Sequence, residues 1–186
     1  MLTEGFPMAT APPLLTIEEY LHTSYKPDLH FVDGEVEERN VGEYDHAKIQ
    51  TLISFLFTQN EAEWQTDALV EQRIRIGSSR VRVCDVTVLR VDAPYEPVIT
   101  TPPLICIEIL SPEDRLTRAE KVLADYFALG VPNIWLIDPT QRTAFTYNSS
   151  GLHEETARLS VEGTPIHIDI PHLFALLDQS ASRHRL

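Results

Sequence analysis

Cysteine is scarce in this chain of 186 residues, where only Cys84 and Cys106 occur. Both stand in apolar runs without the clustered spacing of a zinc site, so we expect two buried free thiols and no disulfide. No apolar run reaches the length of a membrane span, and residues 1–13 have no basic start or apolar segment typical of a secretory signal. We therefore expect a cytoplasmic protein without membrane contact.

Positive charge is also in short supply. The chain has 15 Lys and Arg against 28 Asp and Glu, a net charge of -13. This charge repels a phosphate backbone at long range and disfavours tight non-specific binding of nucleic acid. The composition, with 43% hydrophobic residues, is that of a globular domain. We assign residues 14–178 to a single domain, residues 1–13 to a flexible N-terminal tail and residues 179–186 to a C-terminal tail.

Two carboxylates interrupt apolar runs that are typical of buried strands. Asp85 lies in the run 82–88, and Glu108 lies in the run 104–110. Burial of an unpaired carboxylate costs on the order of several kcal/mol, so each acid requires a proton, an ion pair or a cation. Two such acids on successive strands favour a functional site over two structural ion pairs.

The predicted elements bring these two strands near each other. Asp33-Gly34 predicts a hairpin between strands at 29–32 and 35–37, and apolar spacing predicts a helix from Asp45 to about Gln59. Next, a strand over 70–76 turns at 77–79 into the Asp85 strand, and the Glu108 strand follows. After these come a helix over about 117–129 and a strand at 134–137 that is parallel to the Glu108 strand. Short strands between 143 and 170 and a helix at 172–177 complete the chain. This order, helix-strand-strand-strand-helix-strand, predicts an α/β (α+β) fold with a mixed central sheet and extra N- and C-terminal strands.

The two acids can converge if their strands are neighbours. Strict alternation places Asp85 on one face with Val83 and Leu89, and Glu108 on one face with Cys106. Mg²⁺ takes one or two carboxylates and keeps several waters, so such a pair suits Mg²⁺ or Mn²⁺ better than zinc. We therefore predict that Asp85 and Glu108 are ligands of Mg²⁺ or Mn²⁺.

These residues resemble a known family. An Asp and a Glu on successive strands of this core resemble the PD-(D/E)xK nuclease superfamily, and residues 14–177 resemble its Uma-type restriction-endonuclease family. The resemblance is carried by Asp33-Gly34-Glu35, His46, 83–86, 108–112, Lys121, Tyr126 and 130–139. It implies a restriction-endonuclease-like fold, catalysis by Asp85 and Glu108, and nucleic acid, most naturally DNA, as a weakly bound partner.

The chain departs from the superfamily pattern at its lysine. Glu-x-Lys requires lysine at position 110, where this chain has Leu110; in the Uma-type pattern the lysine moves to the next helix, which makes Lys121 the catalytic candidate. At about 100° per residue, however, Lys121 points roughly 140° from the apolar stripe of its helix. Either the helix begins late or distorts, or Lys121 is a solvated surface residue and the charge has been lost.

Three further polar residues are candidates to line the site. His46 shares a helix face with Ile49, so it is a site residue or a satisfied core histidine. Glu35 follows a turn and is a metal contact or merely exposed. Gln72 stands on the apolar side of its strand, so it requires a partner in substrate or backbone.

Arginine is concentrated around the Asp85 strand. Residues 72–90 contain five arginines and one acid, a local charge of +5 - 1 = +4. The candidates for phosphate contact are Arg73, Arg75 and Arg82. The alternative is that these arginines form the solvated face of a half-exposed sheet.

Three functions fit the sequence. The leading hypothesis is a Mg²⁺- or Mn²⁺-dependent endonuclease. The alternatives are a nuclease-fold binding or assembly module with little or no activity, which Leu110 favours, and a metal-dependent hydrolase of a small phosphoester, which the negative charge favours. Apolar content in the proline-rich segment 92–103 and in the C-terminal strands makes a homodimer a further hypothesis.

Overall fold

The computed structural model describes residues 14–39, 43–112 and 115–183. In chain order its elements are α1 (Ile17–Leu21), β1 (His30–Val32), β2 (Glu35–Glu37), α2 (Tyr44–Trp64), β3 (Thr66–Ile76), β4 (Arg80–Arg90), β5 (Ile105–Ile109), α3 (Leu116–Leu129), β6 (Asn133–Asp138), β7 (Thr143–Asn148), β8 (Gly151–Glu155), β9 (Arg158–Ser160), β10 (His167–Asp169) and α4 (Ile170–Arg183). Within these ranges no helix has both the length and the hydropathy needed to cross a membrane. The N-terminal tail predicted over residues 1–13 lies outside the described residues.

The main sheet is mixed, as predicted. Its order is β2-β1-β4-β5-β6-β7-β8, with β3 paired to β4 and β5 parallel to β6. Strand β3 follows one edge of β4 from end to end. Strands β1 and β5 share the other edge, because Val81 pairs with Phe31 and Val86 pairs with Ile107. Between these two partners the edge of β4 opens at 82–85, and Asp85 lies in this opening.

Helices cover both faces of the sheet. On one face α2 and α4 pack against β4, β5 and β6 around buried residues that include Ile53, Ile107 and Leu173. On the other face α3 packs through Leu123 and Tyr126. Both cysteines are buried and free, as predicted. The two apolar layers hold the sheet from both sides, so a polar side chain at the opening in β4 is shielded from bulk water.

Two helices are longer than the sequence pattern predicts. Helix α2 continues past Gln59 to Trp64, whose ring packs edge-on against Phe57 at 5.2 Å between centroids. Helix α4 continues past the predicted limit of 177 to Arg183, so residues 179–183 are helical and do not belong to a tail. Neither extension contains Gly or Pro, and with no breaker present a helix continues beyond its apolar stripe.

Strict alternation along β4 is wrong. Cys84 packs in the same cluster as Leu89, whereas Val86 and Val88 pack on the opposite face of the sheet. An unbroken alternation would have grouped Cys84 with Val86 and Val88. The ladder between β3 and β4 is interrupted at Asp85, opposite Glu71, whose φ of 52° is left-handed. This local twist changes which side chains face each layer.

Candidate active site

Asp85 is buried at the opening in β4 and is 2% exposed. Its Oδ1 accepts a hydrogen bond from Arg39 at 2.5 Å, and its Oδ2 accepts one from the backbone N–H of Ile109 at 2.8 Å. His46 Nε2 lies 3.3 Å from Oδ2. Burial raises the pKa of Asp85, but the contacts with His46, Arg39 and Ile109 together lower it by more than burial raises it. The pKa therefore lies below its usual range. Asp85 is therefore a charged carboxylate inside the fold.

The carboxyl of Glu108, on the next strand β5, is driven toward the neutral form, unlike that of Asp85. Its Oε1 accepts a hydrogen bond of 2.6 Å from the hydroxyl of Tyr126 on α3. Burial and then the charge of Asp85 raise the pKa of Glu108 well above its usual value. Two nearby carboxyls whose pKa values are driven apart are typical of a functional site.

Both carboxyls line one cavity of about 50 Å³, which we call the Asp85–Glu108 cavity. Its other lining residues include His30, Arg39, His46 and Arg118. Since one water requires on the order of 10–15 Å³ of such space, the cavity can hold about three or four waters, or a cation with part of its hydration shell. His46, a candidate from its position on the helix face of Ile49, lies in contact with Asp85.

Arg39 links Asp85 to a third carboxylate. Its guanidinium forms an ion pair with Glu71 as well as with Asp85. Gln50 on α2 donates to Glu71 Oε1 at 3.0 Å and to the backbone carbonyl of Asp85 at 2.9 Å. Sequence reasoning missed all three residues. Arg39 precedes α2 in a segment without periodicity, and Glu71 is not the glycine that would have signalled its left-handed backbone.

Lys121 does not line the Asp85–Glu108 cavity. It is exposed on α3 and lines a neighbouring cavity with Glu37, Glu38 and Arg82, which shares Arg118 and Val122 with the Asp85–Glu108 cavity. Helix α3 begins at Leu116, no later than predicted, and Val122 takes the inward position. The helix therefore does not start late, which was the first of the two alternatives for Lys121. Among the described residues, Arg39 and Arg118 are the guanidinium groups that line the Asp85–Glu108 cavity.

The other sequence candidates lie apart from this cavity. Glu35 is exposed on β2. Gln72 donates to the backbone carbonyl of Pro97 at 3.0 Å, so of its two expected partners, substrate and backbone, it contacts backbone. The predicted phosphate contacts are engaged elsewhere: Arg73 with Asp28, Arg75 with the carbonyl of Gly77, and Arg82 with Asp125 and Glu37. Arg82 is only 3% exposed, so it belongs neither to a solvated sheet face nor to an open phosphate-binding surface.

The comparison with protein families identifies the chain at the level of a family. The family described as Uma2, putative restriction endonuclease, matches residues 17–175. The chain belongs to the Uma2 family. A crystal structure of a putative nuclease belonging to DUF820 from Anabaena variabilis is similar in fold, with a TM-score of 0.76 and 23% identity over 88% of this chain and 99% of that chain. A search of curated proteins finds no match.

The Uma2 fold places few metal-binding groups together in this chain. Within residues 14–39, 43–112 and 115–183 there is no group of three or more His, Cys, Asp and Glu side chains placed to hold a metal. Mg²⁺ is commonly held by only one or two carboxylates together with waters and substrate phosphate. The pair of Asp85 and Glu108 meets that smaller requirement.

Proposed function

We propose that this Uma2 chain is a Mg²⁺- or Mn²⁺-dependent endonuclease that hydrolyses phosphodiester bonds of nucleic acid, with DNA as the substrate. The observation that carries the proposal is the Asp85–Glu108 cavity, where one buried carboxyl is charged and its neighbour is driven toward the neutral form. The family and the shared fold support a nuclease.

The residues of the cavity fit a hard divalent cation. Asp85 and Glu108 supply carboxylate oxygens, the donors that Mg²⁺ and Mn²⁺ prefer. Asp85 already attracts a cation, the guanidinium of Arg39, to its Oδ1. Burial and then the charge of Asp85 raise the pKa of Glu108, and a divalent cation between the two carboxyls would offset both effects. Asp85 and Glu108 would hold the metal.

Several groups at the cavity can orient the metal ligands and bind the phosphate in this reaction. A bound Mg²⁺ or Mn²⁺ supplies polarisation of the phosphoryl oxygen and a lower pKa for water. The backbone N–H of Ile109 fixes the orientation of Asp85, and the hydroxyl of Tyr126 fixes that of Glu108. Arg39 and Arg118 line the same cavity and can bind the phosphate by charge-assisted hydrogen bonds, which stabilise negative charge that develops there.

The charge distribution predicts weak binding outside the site. The net charge of -13 repels DNA, while the arginines of the cavity attract a phosphate at short range. We expect low non-specific affinity, because few cations are available to replace the counterions of the phosphates. A homodimer, which would present two such cavities, remains part of the proposal, and its test is the mass of the protein in solution.

The test is cleavage of DNA and RNA substrates with Mg²⁺ or Mn²⁺, by the wild type and by Asp85→Asn. The matched control is Asp92→Asn, which removes the same charge from an exposed ion pair with Arg90 beyond the end of β4. We expect metal-dependent cleavage that Asp85→Asn abolishes and Asp92→Asn leaves intact. No cleavage by the wild type, or equal cleavage by both variants, would remove the proposal, and turnover of a small phosphoester alone would select a different hydrolase.

A second candidate is a nuclease-fold binding module. Two observations favour it: Leu110 replaces the superfamily's lysine, and Lys121 lies outside the Asp85–Glu108 cavity. Binding of Mn²⁺ and DNA without turnover would select this candidate, because the metal site would then exist without a competent cation beside it.

A further inference from the structure

His30 is a buried histidine that the mechanism above does not use. It lies on β1, is 5% exposed and lines the Asp85–Glu108 cavity. Its Nδ1 accepts a hydrogen bond of 3.1 Å from the backbone N–H of Val83. Val83 belongs to the part of β4 that opens between β1 and β5, so the ring of His30 takes the place of a strand partner there.

The bond from Val83 fixes the tautomer of His30. A backbone N–H can only donate, so Nδ1 must be the acceptor and the ring proton must lie on Nε2. Burial, and then the charges of Arg82, Arg39 and Arg118, lower the pKa of His30 well below its usual value. The ring is therefore a neutral donor. With Nδ1 engaged and Nε2 protonated, it offers no lone pair to a metal and no site for a proton.

Nε2 is the ring nitrogen of His30 that the bond from Val83 leaves available, and His30 lines the Asp85–Glu108 cavity. The cavity has room for water, which can accept a hydrogen bond from this group. Since a hydrogen bond to an ionised acceptor is roughly twice as strong as one to a neutral acceptor, an anion in the cavity would be a better partner than water.

The cavity is lined by two chemically different sets of groups. Asp85 and Glu108 contribute carboxyls, and the side chains of His30, Arg39 and Arg118 contribute N–H donors around the same space. Arg118 also donates to the carbonyl of Glu38, which anchors its guanidinium. A tetrahedral oxyanion with several acceptor oxygens and no donors is the ligand that matches these N–H donors.

We propose that His30 binds the substrate: its neutral imidazole donates Nε2–H to a non-bridging oxygen of the phosphodiester in the Asp85–Glu108 cavity, beside Arg118. This assignment rests on the proposed endonuclease function, because it names the group that holds the substrate of that reaction. His30 is a binding residue that acts on the reacting phosphate and exchanges no proton with it.

Two substitutions separate this binding role from a structural role. In His30→Asn the amide oxygen can replace Nδ1 and accept from Val83, but the donor at Nε2 is lost. In His30→Gln the longer amide can place a donor near the Nε2 position, but the N–H of Val83 loses its acceptor. We expect His30→Asn to keep the unfolding midpoint of the wild type and to bind inorganic phosphate about tenfold more weakly. We expect His30→Gln to unfold earlier and to keep phosphate affinity within about threefold.

The direct readout is a long-range ¹H–¹⁵N spectrum of protein with ¹⁵N-labelled histidine, titrated with inorganic phosphate. The signal that disappears in His30→Asn should show the Nε2–H tautomer and should shift as phosphate is added. An Nδ1–H tautomer, a wild type that binds no phosphate, or His30→Asn with wild-type phosphate affinity would each overturn the inference. So would equal losses of stability and binding in both variants.

Cleavage assays distinguish this inference from the proposed function. If the wild type cleaves DNA and Asp85→Asn does not, but His30→Asn leaves KM unchanged, the function stands and the role of His30 is wrong. If phosphate binding depends on His30 but no polynucleotide is cleaved, the function is wrong and the anion site stands. A rise in KM of about tenfold in His30→Asn with kcat less affected supports both.

Discussion

The ion pair between Arg82 and Asp125 joins β4 to α3, two of the elements that line the Asp85–Glu108 cavity. Arg82 Nε donates to Asp125 Oδ2 at 2.7 Å, and Arg80 donates to Oδ1 at 2.8 Å. Asp125 belongs to α3, which also carries Tyr126, while both arginines belong to β4, which carries Asp85. The perturbation that tests this connection is Asp125→Asn.

The size of the effect follows from burial. Arg82 and Asp125 have 4% and 8% of their side chains exposed, so loss of one charge leaves the other charge buried, at a cost of about 3–5 kcal/mol. The exposed Arg80 adds about 0–1 kcal/mol, and Glu37, 3.1 Å from Arg82, still offers a partner. We therefore expect the free energy of unfolding to fall by about 3 kcal/mol. At roughly 2–4 °C per kcal/mol, the midpoint of thermal unfolding should fall by about 6–12 °C.

The assay is urea and thermal unfolding followed by circular dichroism. Asp92→Asn, in the exposed pair with Arg90, is the control and should change the free energy of unfolding by less than about 0.5 kcal/mol. The double variant Arg82→Met with Asp125→Leu should recover most of the loss, because removal of both charges leaves no buried ion. A loss below about 1 kcal/mol in Asp125→Asn would show that the buried pair with Arg82 does not hold α3 to β4.

Three further predictions follow from other contacts. Arg39→Gln should bind Mn²⁺ about tenfold more tightly, measured by electron paramagnetic resonance, because the guanidinium competes for Asp85 Oδ1; unchanged affinity contradicts this. Glu71→Gly should be about 1 kcal/mol more stable than Glu71→Ala in urea, since only glycine accepts a φ of 52° without strain, and equal stabilities would count against it. Hydrogen bonds from the Thr100 hydroxyl and the Thr101 N–H lower the pKa of Glu96 from 4.5. The stabilisation that ionised Glu96 contributes is present above pH 4.5 and is lost as the pH falls through the lower pKa of the folded protein. Glu96→Gln should therefore flatten the acid side of a plot of unfolding free energy against pH. A plot identical to that of the wild type would exclude the effect.

The framework of the fold could be predicted because it depends on local patterns. Asp33-Gly34 set the first hairpin, and apolar runs interrupted by Asp85 and Glu108 marked two buried strands that the structure pairs. The family resemblance seen in the sequence is confirmed by the match over residues 17–175. Each of these signals lies within a few residues of the feature that it predicts.

The surroundings of the two acids could not be predicted because they depend on distant contacts. Arg39 reaches Asp85 from 46 positions earlier in the chain, and Arg82 reaches Asp125 from 43 positions earlier. No periodic pattern connects such positions. The phase of α3 did predict that Lys121 points away from the inner stripe, and the structure places it on a different cavity. The ion-pair partners of these charged residues therefore could not be predicted from the sequence and are seen only in the structure.

Crystals soaked in Mn²⁺ would show whether Asp85 and Glu108 together hold a divalent cation. We expect one anomalous peak bonded to carboxylate oxygens of both residues, with the guanidinium of Arg39 displaced from Asp85 Oδ1. Crystals that show Arg39 still paired with Asp85, Tyr126 still bonded to Glu108 and no Mn²⁺ between the two carboxyls would contradict it.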